Sequence, residues 1–240
     1  GADGVEVDMG GLGKRVLFDN QLREPQQAEK FQAAARQYGV AVPSMAMSGF
    51  FAQSFLTRDN YQDLLKDCFL TMKLFGSKVA FLPLGGSGKD WQQEGCAAYQ
   101  QMVSRLRTAG EMAKQEGIII GIRTGMGAKF DKKLLKKVGC SQIKVYYNFQ
   151  DAADHHRDIC KELRKLGAQR IVQIHASNTD SVNLQEDPEI NLPKIRKTLD
   201  KMGWSGWLVV ERSRDVKRVR DVKYNFGRNI AYLKQVFQER

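Results

Sequence analysis

The stretch Ile143–Ser177, IKVYYNFQDAADHHRDICKELRKLGAQRIVQIHAS, reads as one β–α–β unit. Its two ends, Ile143–Asn148 and Ile171–Ser177, are short runs rich in Val and Ile, whose branched side chains suit a pleated surface. Between them Ile159, Leu163 and Leu166 recur at helical spacing, which predicts a helix with one apolar face.

The same rhythm runs outward in both directions. Strands are predicted at Gly4–Asp8, Val40–Met47, Lys78–Leu84, Ile118–Thr124 and Trp207–Ser213, in addition to the two above. Several begin just after a helix-ending glycine, as at Gly39, Gly117 and Gly203. Amphipathic stretches lie between the strands. Tyr61–Leu74 carries Leu64, Leu65, Cys68, Phe69 and Met72 on one face, and Gln100–Gln115 carries Met102, Val103, Leu106, Ala109 and Met112. Ile230, Leu233, Val236 and Phe237 mark the last helix.

Seven β units, each followed by a helix, predict a parallel sheet. A doubly wound open sheet would carry a nucleotide-binding glycine turn after an early strand. The glycine cluster after the third predicted strand, Gly85-Gly86-Ser87-Gly88, has neither GxGxxG spacing nor a GK[ST] ending, so it reads as a flexible βα loop. Units of about 30–35 residues fit an α/β (β/α)8 TIM barrel that lacks its first β/α unit. The chain starts Gly1-Ala2-Asp3-Gly4-Val5-Glu6, without an initiator Met and straight into a strand, so upstream residues are expected. An export signal would lie among them, which leaves the compartment unread and cytoplasmic only by default. With no linker or shift in composition, residues 1–240 are expected to form a single domain.

Composition narrows the function classes. The 240 residues are 42% hydrophobic and 27% charged, enough for a sizeable core and unlike a disordered chain. Apolar runs such as Ile118–Ile120 and Trp207–Val210 are far too short to span a membrane. The formal charge of +11 raises the question of nucleic acid. The Lys and Arg, however, are scattered through helical patterns. There is no RNP-type aromatic motif, no Cys/His zinc finger and no basic heptad region. A solvated basic surface is expected, with no nucleic-acid partner. Cys68, Cys96, Cys140 and Cys160 are widely spaced without a CxxC, and are expected to be free and mostly buried thiols.

In a barrel the active site lies at the C-terminal ends of the strands. Four consecutive strands close on a polar residue: Arg123 in IIIGIRT, Asn148 in IKVYYN, His175 in IVQIHAS and Glu211 in WLVVERS. Period-two alternation pairs Gly121 with Arg123, Gln173 with His175 and Val209 with Glu211 on one face. If that face points inward, the four groups converge on one mouth, and Glu6 could add a fifth. Each residue alone has a structural reading, such as a hydrogen-bonded His or a Glu211–Arg212 rim ion pair. Lys144 shares a strand face with Tyr146 and Asn148 and would bring positive charge inside, unless it reaches out at the barrel bottom.

The segment GADGVEV is similar to the early-strand GxDGVEL of the xylose isomerase-like barrels, the sugar phosphate isomerase/epimerase superfamily. YYNFQDAADHHRDICKELRKLGAQRIVQIH resembles that family's block around its sixth and seventh strands. GWSGWLVVER, followed by Asn229-Ile230-Ala231-Tyr232-Leu233-Lys234, resembles its ending. The resemblance covers most of the chain from Gly4 onward. It implies a small-molecule sugar as partner and a divalent metal (Mn, Mg, Co or Zn) held by Glu, Asp, His and Glu. The two Glu residues then act as an acid/base pair beside the sugar carbon.

This sequence keeps two of those ligands, His175 and Glu211. The strand-five Glu is replaced by Arg123 and the strand-six Asp by Asn148. Asp151 stands where the family has an Asn, and Ser177-Asn178 where it has Lys-Asp. An Arg stays protonated and offers a cation no lone pair. No cofactor is therefore expected; if a metal binds, His175 and Glu211 are its ligands. Glu211 is expected as base, His175 as donor or proton shuttle, and Arg123 as a fixed donor to an enediolate oxygen. Glu6, Asn148, Asp151 and Lys144 are expected to bind substrate. The expected activity is sugar isomerisation or epimerisation by proton abstraction alpha to a carbonyl. The alternatives are a lyase or hydratase using the same step and a non-catalytic sugar binder; a homo-oligomer is compatible with every one of these readings. The related apurinic endonuclease branch needs several histidines, and only His155, His156 and His175 are present, so DNA repair is not expected.

Overall fold

The computed structural model describes residues 1–85 and 89–239; Gly86, Ser87 and Gly88 of the glycine cluster lie outside the described residues. Among the described residues strands and helices alternate as the sequence predicts. They run β1 (Val7–Asp8), α1 (Pro25–Tyr38), β2 (Ser44–Ala46), α2 (Gly49–Ala52), α3 (Tyr61–Phe75), β3 (Val79–Pro83), α4 (Ala97–Gln115), β4 (Ile119–Arg123) and α5 (Ala128–Val138). They continue with β5 (Ile143–Asn148), α6 (Phe149–Ala153), α7 (Ile159–Leu166), β6 (Ile171–His175), α8 (Leu192–Met202), β7 (Leu208–Val209) and α9 (Val222–Phe237). The strand order is β1-β2-β3-β4-β5-β6-β7 in a seven-stranded sheet, with β1 to β5 paired in parallel in sequence and β6 parallel to β7. This is the TIM-barrel-like α/β arrangement. No helix among the described residues is long and apolar enough to cross a membrane.

Two compact units make up the chain. The first holds Asp3–Thr124 and Lys133–Val145. Its strands lie in register, with Ser44 opposite Val79, Val79 opposite Ile119, and Ile120 opposite Ile143. β3 is buried along its whole length, as a parallel strand covered on both faces must be. Helix α3 turns Leu64, Leu65, Cys68, Phe69 and Met72 inward, and α4 turns Met102, Val103, Leu106 and Ala109 inward. α4 begins three residues before the predicted Gln100, because Cys96 Sγ accepts the Tyr99 N–H at 3.3 Å and caps it. Gly110 lets α4 approach closely: a Cβ there would lie 2.5 Å from Cys140 Sγ.

The second unit holds Gly1–Ala2, Gly125–Lys132 and Tyr146–Arg240. In it β6 pairs with β7, His175 standing opposite Val209. β7 is much shorter than the predicted Trp207–Ser213. The reason is local: the Glu211 N–H donates to Ser177 Oγ at 3.3 Å instead of continuing a ladder, and Ser213 adopts a left-handed φ of 66°. Three buried asparagines hold that turn. Ser213 carbonyl oxygen accepts from Asn183 Nδ2 at 3.1 Å and Asn229 Nδ2 at 2.7 Å. Asn225 Oδ1 accepts from Asn183 Nδ2 and from the Asp215 N–H. All four cysteines are free, Cys68 and Cys160 buried and the other two partly exposed. Burial pushes the Cys68 thiol far above its ordinary pKa.

Candidate active site at the ends of β5, β6 and β7

In the second unit, three polar residues that close apolar runs meet. Asn148 closes β5 in an extended conformation and is also the N-cap of α6, its Oδ1 accepting the Gln150 N–H at 2.8 Å. That bond satisfies one of the orphan donors of a helix start. It also fixes which end of the amide is oxygen, so Nδ2 faces the other way. Nδ2 donates to Glu211 Oε1 at 3.0 Å and lies 3.4 Å from His175 Nδ1. His175 Nδ1 and Glu211 Oε1 are themselves 3.8 Å apart. An amide N–H₂ can only donate, so its contact with Nδ1 is a hydrogen bond in the imidazole tautomer protonated on Nε2.

The surroundings hold this arrangement firmly. Asn148 and His175 are 2% and 1% exposed, whereas the Glu211 side chain is 30% exposed. The Tyr146 ring packs against His175 with centroids 4.3 Å apart and the ring planes tilted by 43°, and its hydroxyl accepts from Gln173 Nε2 at 2.8 Å. Tyr146 and Asn148, like Gln173 and His175, are two residues apart and share a strand face. Beyond β6, the Asn178 N–H donates to Ser213 Oγ, and Asn178 Nδ2 donates to Asp187 Oδ2 and Glu189 Oε2. Asp180 takes a bidentate pair from Arg214, and that guanidinium holds the Asp180 carboxyl below its usual range.

Asp151 lies in the first turn of α6, and its backbone oxygen accepts from Arg157 at 2.7 Å and lies 2.8 Å from His155 Nδ1. The other expected residues belong to the first unit. Glu6 precedes β1 and accepts the Ser44 hydroxyl at 2.7 Å. Arg123 ends β4, its guanidinium 5.7 Å from the Phe51 ring centroid. Lys144 stands opposite Gly121 in the ladder. The structure therefore brings Asn148, His175 and Glu211 together in one cluster within the second unit.

Sequence reasoning missed Ser177, whose hydroxyl accepts from the Glu211 backbone, and the asparagines under Ser213. The latter did leave a signal: Asn225, Asn229 and Leu233 are four residues apart, which places two amides on the buried stripe of α9.

The donor set bears directly on the metal that the resemblance implies. His175 and Glu211 offer lone pairs, but the third group reaching both of them, Asn148 Nδ2, offers hydrogens. Among the described residues no group of three or more His, Cys, Asp or Glu is placed to hold a metal ion.

Comparison with known proteins agrees with this architecture. The profile of the family described as xylose isomerase-like TIM barrel matches residues 1–236. An inosose dehydratase of Mesomycoplasma hyopneumoniae (strain 7448) is 24% identical, over 90% of this chain and 88% of its own. Among solved structures, the probable 3-DHS dehydratase AsbF of Bacillus anthracis superposes with a TM-score of 0.75 at 13% identity, covering 97% of this chain and 88% of its own. The 3-keto-D-glucoside 4-epimerase YcjR of E. coli superposes with a TM-score of 0.73 at 12% identity, covering 97% and 89%.

Proposed function

The chain belongs to the xylose isomerase-like TIM-barrel family, and from that premise we propose that it removes the proton alpha to the carbonyl of a small sugar or keto-sugar, with Glu211 as the base. The observation that carries this reading is the placing of Glu211. It is the carboxylate of the cluster and is partly open to solvent, while Asn148 and His175, which it contacts, are buried. A carboxylate oriented by a fixed donor and reached by solvent can act as a general base toward a bound sugar.

The step balances as follows. Glu211 takes the alpha proton; the C–H pair becomes the new C=C bond and the carbonyl π pair moves onto oxygen, giving an enediolate. Return of the proton from Glu211 to the former carbonyl carbon, with the alpha hydroxyl proton passing to the first oxygen, gives an isomer. Protonation of the alpha carbon on its opposite face by a water molecule, with the proton on Glu211 released to solvent, gives an epimer. His175, buried and packed against Tyr146, acts as a positioning group for the Asn148–Glu211 pair.

A second outcome shares the first half of this chemistry. If the enediolate expels the hydroxyl on the next carbon, which leaves as water with a proton, the net reaction is dehydration. The match to inosose dehydratases favours it, since those relatives align over nine tenths of the chain.

Incubation in D₂O with a panel of ketoses and keto-glycosides tests the proposal. Deuterium incorporation at the alpha carbon of at least one sugar is expected, and loss of water from the same sugar would identify dehydration. Sugars that bind without exchange or loss of water would overturn the enzymatic reading in favour of a non-catalytic sugar-binding protein.

A further inference from the structure

Asn148 stands toward Glu211 and His175 as a bound cation would, and we infer that this cluster works without the divalent ion implied by the family resemblance. A cation in such a site draws one lone pair from a carboxylate and one from an imidazole. Here the two hydrogens of a single amide nitrogen face both, 3.0 Å from Glu211 Oε1 and 3.4 Å from His175 Nδ1. The amide cannot turn to present its oxygen instead. A half rotation would set Oδ1 against Glu211 Oε1, two acceptors face to face, and would break the 2.8 Å bond that caps α6. The same residue therefore fills two posts, helix cap and surrogate cation, and the first locks the second.

Burial adds to the exclusion. At 2% exposure Asn148 has no solvent to swing into, so an arriving ion would have to displace the capping turn. His175 Nδ1 already faces the Asn148 amide nitrogen at 3.4 Å rather than an open position. The inference concerns the same cluster as the proposed reaction. Metal binding, however, is measured without turnover, so the two can fail separately.

The test is Mn²⁺ titration, by calorimetry and by thermal shift, of the wild-type protein and the Asn148→Asp variant. Asp caps helices as well as Asn, so the variant keeps α6. It also sets a second carboxylate against Glu211 and completes an Asp–His–Glu set of lone-pair donors. Wild type is expected to show no saturable Mn²⁺ binding. Asn148→Asp is expected to bind more than about 100-fold tighter, beyond the range for changes outside the ligand shell, and to gain thermal stability with added Mn²⁺. Adding Glu211→Gln to that variant should remove the gain. Stoichiometric Mn²⁺ binding by wild type that Glu211→Gln abolishes would overturn the inference. So would an Asn148→Asp protein that folds and binds no better than wild type, because the amide would then not be what keeps the ion out.

Discussion

The Asn148 side-chain amide donates to Glu211 Oε1 across 3.0 Å, and its orientation is set by the Gln150 N–H rather than by Glu211 itself. The site's geometry is thus tied to the start of a helix. A residue that looks like a degraded ligand position in the sequence is a structural anchor in the fold.

Replacing Asn148 with Ala removes both functions at once. Loss of the cap should cost about 1 kcal/mol in denaturant unfolding, and turnover should fall because Glu211 loses its fixed donor. Asn148→Ser, which can still cap, should recover most of the stability but not the turnover. Equal recovery of both would place Asn148 in the helix only.

The buried asparagine network predicts a stability effect away from the cluster. Asn229 Oδ1 accepts the Leu184 N–H at 2.8 Å, while Ser213 oxygen, which Asn229 also reaches, has a second donor in Asn183. Asn229→Ala therefore orphans one buried N–H, and should cost about 1–3 kcal/mol by chemical denaturation. A change within error would show that water replaces the lost bond.

The Asp180–Arg214 pair gives a pH dependence with a definite sign. Arg214 lowers the Asp180 pKa in the folded protein, mainly through their side-chain hydrogen bonds. The pair's contribution is present above the unfolded carboxyl pKa of about 3.9 and is lost as pH falls through the lower folded value. Melting temperature should therefore drop on acidification below about pH 4, and Asp180→Asn should flatten part of that slope. Both side chains are partly exposed, so added salt should weaken the effect.

Gly110→Ala tests the closeness of α4 in the first unit. The added methyl would meet Cys140 Sγ at 2.5 Å, and overpacking of this kind should cost about 1–3 kcal/mol. Cys140→Ala in the same protein should return most of that loss. Additive losses in the double variant would show that the strain lies elsewhere.

Much of the fold was legible because the chain repeats one physical pattern. Val- and Ile-rich runs and amphipathic stretches alternate, and α3 was located to within one residue from its apolar spacing. The strand ends were harder. Trp207–Ser213 has the composition of a strand throughout, yet only Leu208–Val209 pair, because Ser213 takes a left-handed turn that buried amides hold in place. Nothing in a local window announces those partners, which come from residues up to 30 positions away. The site divides in the same way. Asn148, His175 and Glu211 were readable as polar residues closing apolar runs. The Phe51 ring beside Arg123 and the Ser177 hydroxyl at the Glu211 backbone follow only from the packed chain.

The most direct test of the account is the rate of deuterium exchange at the substrate alpha carbon in Glu211→Gln against wild type. The glutamine can still accept the Asn148 hydrogen, so folding should be unchanged by circular dichroism and melting temperature. Exchange should fall by about 10²–10⁴-fold, the contribution of a general base. A Glu211→Gln protein that exchanges at the wild-type rate would contradict the account, because the proton would then be leaving to another group.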